Sequence, residues 1–204
     1  EIKASIILEM SATPKFQPHI SEVKRGLAGW VEVFIQDVID EEMIKKQLII
    51  NEGLQDQQER TIDRNLLESA YNKREELKKL YGNEESNVNP LVIIQLPNAE
   101  EGIDKKDSII EYFKEKNITK DNKKLAIWLN EEKFNLDNIS DNTNTVEFLL
   151  FKQAIDTGWD CPRAQILLKF RETHSMIFER QTLGRILRMP EQHFYINDII
   201  NKAY

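Results

Sequence analysis

The sequence predicts an α/β fold, a mostly parallel sheet flanked by helices, and three observations predict it. Short runs rich in Val, Ile and Leu alternate along the chain with stretches of helical periodicity. Several runs, such as Leu91 to Ile94 and Phe148 to Phe151, are apolar at every position, as strands buried on both faces must be. The stretch Thr61 to Tyr81 carries Ile62, Leu66, Ala70, Leu77 and Tyr81 at three- and four-residue multiples, the apolar stripe of a helix that covers a sheet.

Taken in order, strands are expected near Ala4 to Leu8, Val31 to Ile35, Gln47 to Ile50, Leu91 to Leu96, Leu125 to Leu129, Val146 to Phe151 and Gln165 to Phe170. The covering helix over Thr61 to Tyr81 is supported by Glu75 four residues before Lys79. A second helix is expected over Asp104 to Lys116, through Ile109, Ile110 and Phe113, after the turn signal Pro97-Asn98. Gly82 to Asn89 and Asn135 to Thr145 read as loops, because Asn, Asp and Ser hydrogen-bond their own backbone there. Ser11-Ala12-Thr13-Pro14 closes the first strand, which puts a domain boundary between Pro14 and Asp40. No internal repeat or heptad series is present.

With 204 residues, 40% of them hydrophobic, the chain is expected to hold one globular domain and something extra. Seven Gly and six Pro are too few for a low-complexity or collagenous chain, and disorder is not the expectation. No apolar run approaches the roughly 18 residues of a membrane-spanning helix, so no membrane partner is expected. The single cysteine, Cys161, excludes an internal disulfide framework and a Cys-rich zinc site, which fits a reducing compartment, simplest as the cytoplasm. The start at Glu1, without an initiator Met, reads as a piece cut from something longer.

A net charge of −7 argues against nucleic-acid binding through overall charge alone. The distribution is uneven. Between Phe148 and Pro190 seven Lys and Arg face four Asp and Glu, a local excess of +3 that leaves −10 for the remainder. That late segment is where a nucleotide or nucleic-acid phosphate is best held, unless the asymmetry is chance.

On a helical wheel, Ser175 to Met189 puts Gln181, Arg185 and Arg188 on one face and Met176, Leu183, Ile186 and Leu187 on the opposite one. Two guanidinium groups on a helix buried from behind suit a phosphate that gains charge during transfer, with a solvated face of surface ion pairs as the alternative. Gly184 between them implies close backbone approach or a helix start. Upstream, Asp156 to Pro162 follows a buried strand, and carboxyl ends of parallel strands are where open sheets bind ligands. There Asp160 can accept from a ribose or an arginine, while Thr157 and the Gly158 backbone can donate to a phosphate; an ordinary strand-to-strand turn is the alternative. Trp159 reads as core. His19, His174 and His193 have no metal-ligand spacing among themselves or with Cys161, which reads as a small packing residue.

The order of the segments is informative. SATP at Ser11 to Pro14, PLVIIQLP at Pro90 to Pro97, FKQAIDTGWDCP at Phe151 to Pro162 and QTLGRILR at Gln181 to Arg188 resemble motifs III, IV, V and VI of superfamily 2 helicases. In detail, AIDTGWDCPRAQILL followed by QTLGRILRMPE is similar to the restriction subunit of type III restriction enzymes, with type I restriction motor subunits and other superfamily 2 DNA helicases nearest to it.

The resemblance implies a RecA-like fold of the P-loop NTPase type. Residues 1–40 would be the tail of a first motor domain with a linker, and 41–204 a second motor domain with a helical insertion near 61–81. It implies that Arg185 and Arg188 are arginine fingers toward the γ-phosphate of ATP, with Gln181 and Gly184 shaping the helix start. Asp160 would lie near the nucleotide ribose or the arginine helix. Thr157 and Gly158 would contact the DNA backbone, Gln95 and Asn98 would line the nucleic-acid groove, and Ser11 and Thr13 would couple hydrolysis to strand movement. The implied partners are DNA, the first RecA-like domain of the same chain and a modification methyltransferase subunit.

No G-x-x-x-x-G-K-[ST] and no DExH or DExD box occurs, since Gly26-Leu27-Ala28-Gly29 is followed by Trp30 rather than Lys. The groups that cradle ATP and coordinate Mg²⁺ are therefore expected upstream of Glu1, with no nuclease domain after Tyr204, and this chain alone is expected to be inactive. The competing expectation from another class is a non-catalytic RecA-like module used for protein interaction.

Overall fold

The computed structural model describes residues 17–50, 59–97, 101–152, 159–170 and 182–204. The chain divides into two compact units, Glu1–Asp37 and Val38–Tyr204. The strand expected at Ala4 to Leu8 lies outside the described residues.

In the first unit, helix α1 (Ile20–Lys24) starts at His19, whose ring nitrogen accepts from Ser21 N–H while the Glu22 carboxylate accepts from His19 N–H. The strand expected at Val31 to Ile35 is not formed. Residues 31–34 are irregular, and helix α2 (Ile35–Asp40) begins at Ile35. Val31, Val33, Phe34 and Ile35 are all exposed, and β-branched composition forms a strand only where a neighbouring ladder receives it. A local signal prevails: the Asp37 carboxylate reaches back to accept from Phe34 N–H at 3.2 Å.

In the second unit, helix α3 (Glu59–Asn83) and helix α4 (Glu101–Glu115) accompany a five-stranded sheet ordered β4-β3-β5-β2-β6. Its strands are β2 (Leu91–Gln95), β3 (Leu125–Trp128), β4 (Lys133–Phe134), β5 (Phe148–Phe151) and β6 (Ala164–Lys169). All pairings are parallel except β3 with the two-residue β4. Every residue of β2 and β5 is buried, as their unbroken apolar runs require. Alternation sorts the strand side chains to two sides. Val92, Ile94, Ile127, Phe148, Leu150 and Ile166 join Leu67, Leu77 and Tyr81 of α3 and Ile109 and Phe113 of α4. Leu91, Ile93, Ala126, Leu149 and Phe151 join Ile139, Cys161 and Ile186. The result is α/β with a mostly parallel sheet flanked by helices, compatible with a RecA-like domain and with other α/β folds.

Helix α3 presents Leu67, Ala70, Arg74, Leu77 and Tyr81 inward at alternating steps of three and four residues. Arg74 occupies a core position because its guanidinium meets Asn89 Oδ1, the Pro90 carbonyl and the carboxylates of Glu75 and Glu147. Just past the end of helix α4, Asn117 has a positive φ of 57° that lets Ile118 N–H return to the Phe113 carbonyl at 2.8 Å.

The segment Gln47 to Ile50 does not enter the main sheet. Strand β1 (Gln47–Leu48) pairs in parallel with β7 (Lys202–Ala203) as a separate two-stranded sheet. Tyr204 then exchanges backbone bonds with Gln165 and Leu167, which closes the outer edge of β6. Strands β4 and β7, two residues each, have no periodicity long enough to be read from sequence. No helix among the described residues is long and apolar enough to cross a membrane.

Candidate functional site

The expected site residues divide between two places in the structure, and part of the set lies outside the described residues. Ser11, Thr13, Asn98, Thr157, Gly158 and Gln181 are in that latter group. Asp160, Gly184, Arg185 and Arg188 come together, whereas Gln95 lies apart at the carboxyl end of β2.

The turn that carries Asp160 is built by two buried neighbours. Cys161 is fully buried on one side of the sheet, its Sγ 3.5 Å from the Ile139 carbonyl, and burial pushes its thiol up. It is the packing residue that the sequence suggests. Arg163 is also fully buried, donating from Nε to Ile139 O at 2.7 Å and from Nη1 to Asn89 O and Val146 O, each at 2.8 Å. Burial lowers its pKa to about 10. These bonds tie the turn to the residues that lead into β2 and β5.

Residues 159–163 therefore run back along one side of the sheet instead of ending at the strand tips. Trp159 packs edge-to-face on Trp128 at the carboxyl end of β3, with centroids 6.2 Å apart. Arg163 meets Asn89 and Val146 at the amino ends. The Asp160 carbonyl accepts from Ser140 Oγ at 2.5 Å, in the loop that feeds β5. Of the segment Asp156 to Pro162, residues 159–162 are described, and Asp160 stands there between Ser140 and Arg188.

Residues 182–186 are helical, with Thr182 and Ile186 buried and Leu183 and Leu187 packed against the same apolar cluster as Cys161. Arg188 is not on this helix. It forms an isolated antiparallel bridge with Ile44, so the wheel that placed Gln181, Arg185 and Arg188 on one face does not extend to Arg188. The two arginines are brought together by the turn instead. Arg185 Nη1 donates to the Trp159 carbonyl at 2.5 Å, and its guanidinium lies 5.9 Å from the Trp159 ring centroid. Arg188 Nη1 pairs with the Asp160 carboxylate. Of the two partners expected for Asp160, an arginine is the one present. Partial burial lowers the Arg185 pKa, and nearby Arg188 adds to the shift while Asp160 opposes it.

Gly184 is exposed, and a Cβ built on it would meet nothing within 4 Å. Close approach of backbone among the described residues therefore does not account for it. Gln95 is fully buried, and among the described residues neither polar atom of its amide has a hydrogen-bond partner. It does not present that amide to a solvent-exposed groove. Trp159 is partly buried against the core, and among the described residues its indole N–H has no partner. His193 packs at a tilt against Tyr195, ring centroids 4.8 Å apart, and His19 caps α1. Among the described residues, no group of three His, Cys, Asp or Glu side chains is placed to hold a metal ion.

The residue that sequence reasoning missed is Lys45. It is 1% exposed, and its Nζ donates to Ile186 O at 2.9 Å, Pro162 O at 3.5 Å and Arg188 O. Lys45, next to Lys46 in the chain, carries no local signal, because its partners lie more than 100 residues away. Compared with models of protein families and with curated proteins, the chain matches none.

Proposed function

We propose that the chain is the second RecA-like motor domain, with the tail of the first, of an ATP-dependent DNA translocase similar to the restriction subunit of type III restriction enzymes. The observation that carries this reading is the convergence of Arg185 and Arg188 on the Trp159–Asp160 turn. The order of the four motif-like segments and the mostly parallel sheet support it.

Two guanidinium groups offer planar forks of donors that suit phosphoryl oxygens. The present partner of Arg188 is an exposed carboxylate, and such a pair contributes at most about 1 kcal/mol. Exchanging Asp160 for a phosphate therefore costs little. Arg185 is held by both the carbonyl and the ring of Trp159, so its charge is oriented before negative charge develops on a transferred phosphoryl group. ATP would supply the phosphoanhydride bond; the part of this chain is to hold positive charge beside it. Magnesium ligands are not assigned to the described residues, and the reading places them in a partner domain. Contacts to the DNA backbone are assigned to Thr157, Gly158 and Asn98, and coupling to Ser11 and Thr13.

The test joins this chain behind a phosphate-loop domain and measures ATP hydrolysis with and without duplex DNA. Turnover stimulated by DNA is expected, falling about 10³- to 10⁵-fold in Arg185→Ala with nucleotide affinity much less changed. The 204-residue chain alone is expected to be inactive. Hydrolysis unchanged in Arg185→Ala refutes the assignment. One observation favours a second reading, a non-catalytic interaction module: Arg188 is already engaged by Asp160 in an exposed pair. Under that reading no DNA-stimulated turnover appears in any joined chain.

A further inference from the structure

Lys45 is buried without meeting a carboxylate among its bonds, an unusual place for a charged amine. All its hydrogen bonds go to main-chain carbonyls. Ile186 and Arg188 supply two at the end of helical residues 182–186, and Pro162 supplies the third from the Asp160 turn. The carbonyl end of a helix carries partial negative charge, so a cation is favoured there. The backbone reinforces the junction: Lys45 N–H donates to Leu187 O at 2.6 Å, and Met189 N–H donates to Met43 O at 3.0 Å. One amine thus joins the segment that carries Asp160 to the segment that carries both arginines.

We propose that Lys45 is the positioning residue of the arginine cluster, fastening the end of the Arg185 helix to the Asp160 turn through its ammonium group and so setting where Arg185 and Arg188 stand. An ammonium has three N–H donors for three carbonyls, and a neutral amine has two. The fastening loosens when the proton leaves. Burial brings that event to about pH 7. The charged and titratable groups on the packed segments are Asp160, Cys161, Arg163, Arg185 and Arg188, and burial keeps the Cys161 thiol protonated through this range. The consequence for turnover rests on the reading of Arg185 and Arg188 as phosphate-facing groups; the geometry does not.

The experiment is a pH titration of the ligand-free chain by NMR, following Lys45 ¹³Cε, Arg185 Nε–H and the Trp159 indole N–H. In the wild type all three are expected to move together with a midpoint near neutrality. In Lys45→Met the Arg185 and Trp159 signals are expected to stay flat at their high-pH positions, and in Lys45→Arg at their low-pH positions. Titration of Arg185 and Trp159 that survives in Lys45→Met overturns the proposal. So does a Lys45 titration in the wild type that leaves Arg185 unmoved, a result that can be read even if Lys45→Met fails to fold. Because no nucleotide is present, these outcomes are independent of whether the cluster acts on ATP, which the hydrolysis assay decides separately.

Discussion

Arg188 pairs with Asp160 through side chains that are 48% and 51% exposed, although the backbone of Arg188 is held by a bridge to Ile44. A well-fixed backbone thus carries a side chain whose partner is replaceable. Screening by solvent limits the pair to about 0–1 kcal/mol. A double-mutant cycle of Arg188→Ala and Asp160→Ala, read by urea unfolding, is expected to give a coupling within that range. In the joined motor, Arg188→Ala is expected to lower turnover by about 10³-fold or more. A large coupling in stability with normal turnover would make the pair a purely structural contact.

Arg163 presents the opposite case. Its guanidinium serves the carbonyls of Ile139, Asn89 and Val146, and none of these has solvent to replace it. Arg163→Met keeps the bulk and removes the donors, so buried acceptors are left unpaired at an expected cost of about 3 kcal/mol or more. Arg163→Lys is expected to recover only part of this, because one ammonium does not reproduce the fork. Equilibrium urea unfolding of both variants measures the difference; equal stability for all three chains contradicts the account.

Gly184 sits within helical residues 182–186 with open space where a Cβ would stand. Gly184→Ala is therefore expected to stabilise the chain by about 0.5–1 kcal/mol through helix propensity alone. Thermal unfolding checks this. If the same variant lowers turnover in the joined motor, the open space is used by a ligand or a partner domain; if turnover is unchanged, the glycine has no role at the site.

The depressed pKa of Lys45 sets the sign of a pH effect. Burial brings the amine from 10.5 to about 7 in the folded chain. Below that window both states hold the proton. Within it the unfolded chain holds a proton that the folded chain has released, so stability rises as pH increases from about 7 toward 10.5. Urea midpoints taken in steps across the window are expected to rise in the wild type and to lose this component in Lys45→Met. The order of the arginine cluster runs the other way, tightest where the amine is charged, and this separates positioning from stability.

What the sequence alone determined is the repetitive part of the fold. Unbroken apolar runs at Leu91 to Ile94 and Phe148 to Phe151 require burial on both faces, and the stripe through Ala70, Leu77 and Tyr81 requires a covering helix. Such periodicities arise within one segment and need no distant partner to be read. The tertiary structure decided the rest. Val31 to Ile35 has strand composition but pairs with no strand among the described residues, and a capping carboxylate prevails. Arg188 shares a helical face with Arg185 on paper, but the chain leaves the helix before reaching it and the Trp159–Asp160 turn reunites them. Lysine and arginine ordinarily stay in solvent, yet Lys45, Arg74 and Arg163 are core residues. Each is buried because hydrogen-bond acceptors from outside its own element converge on it, and that convergence exists only once the chain is folded.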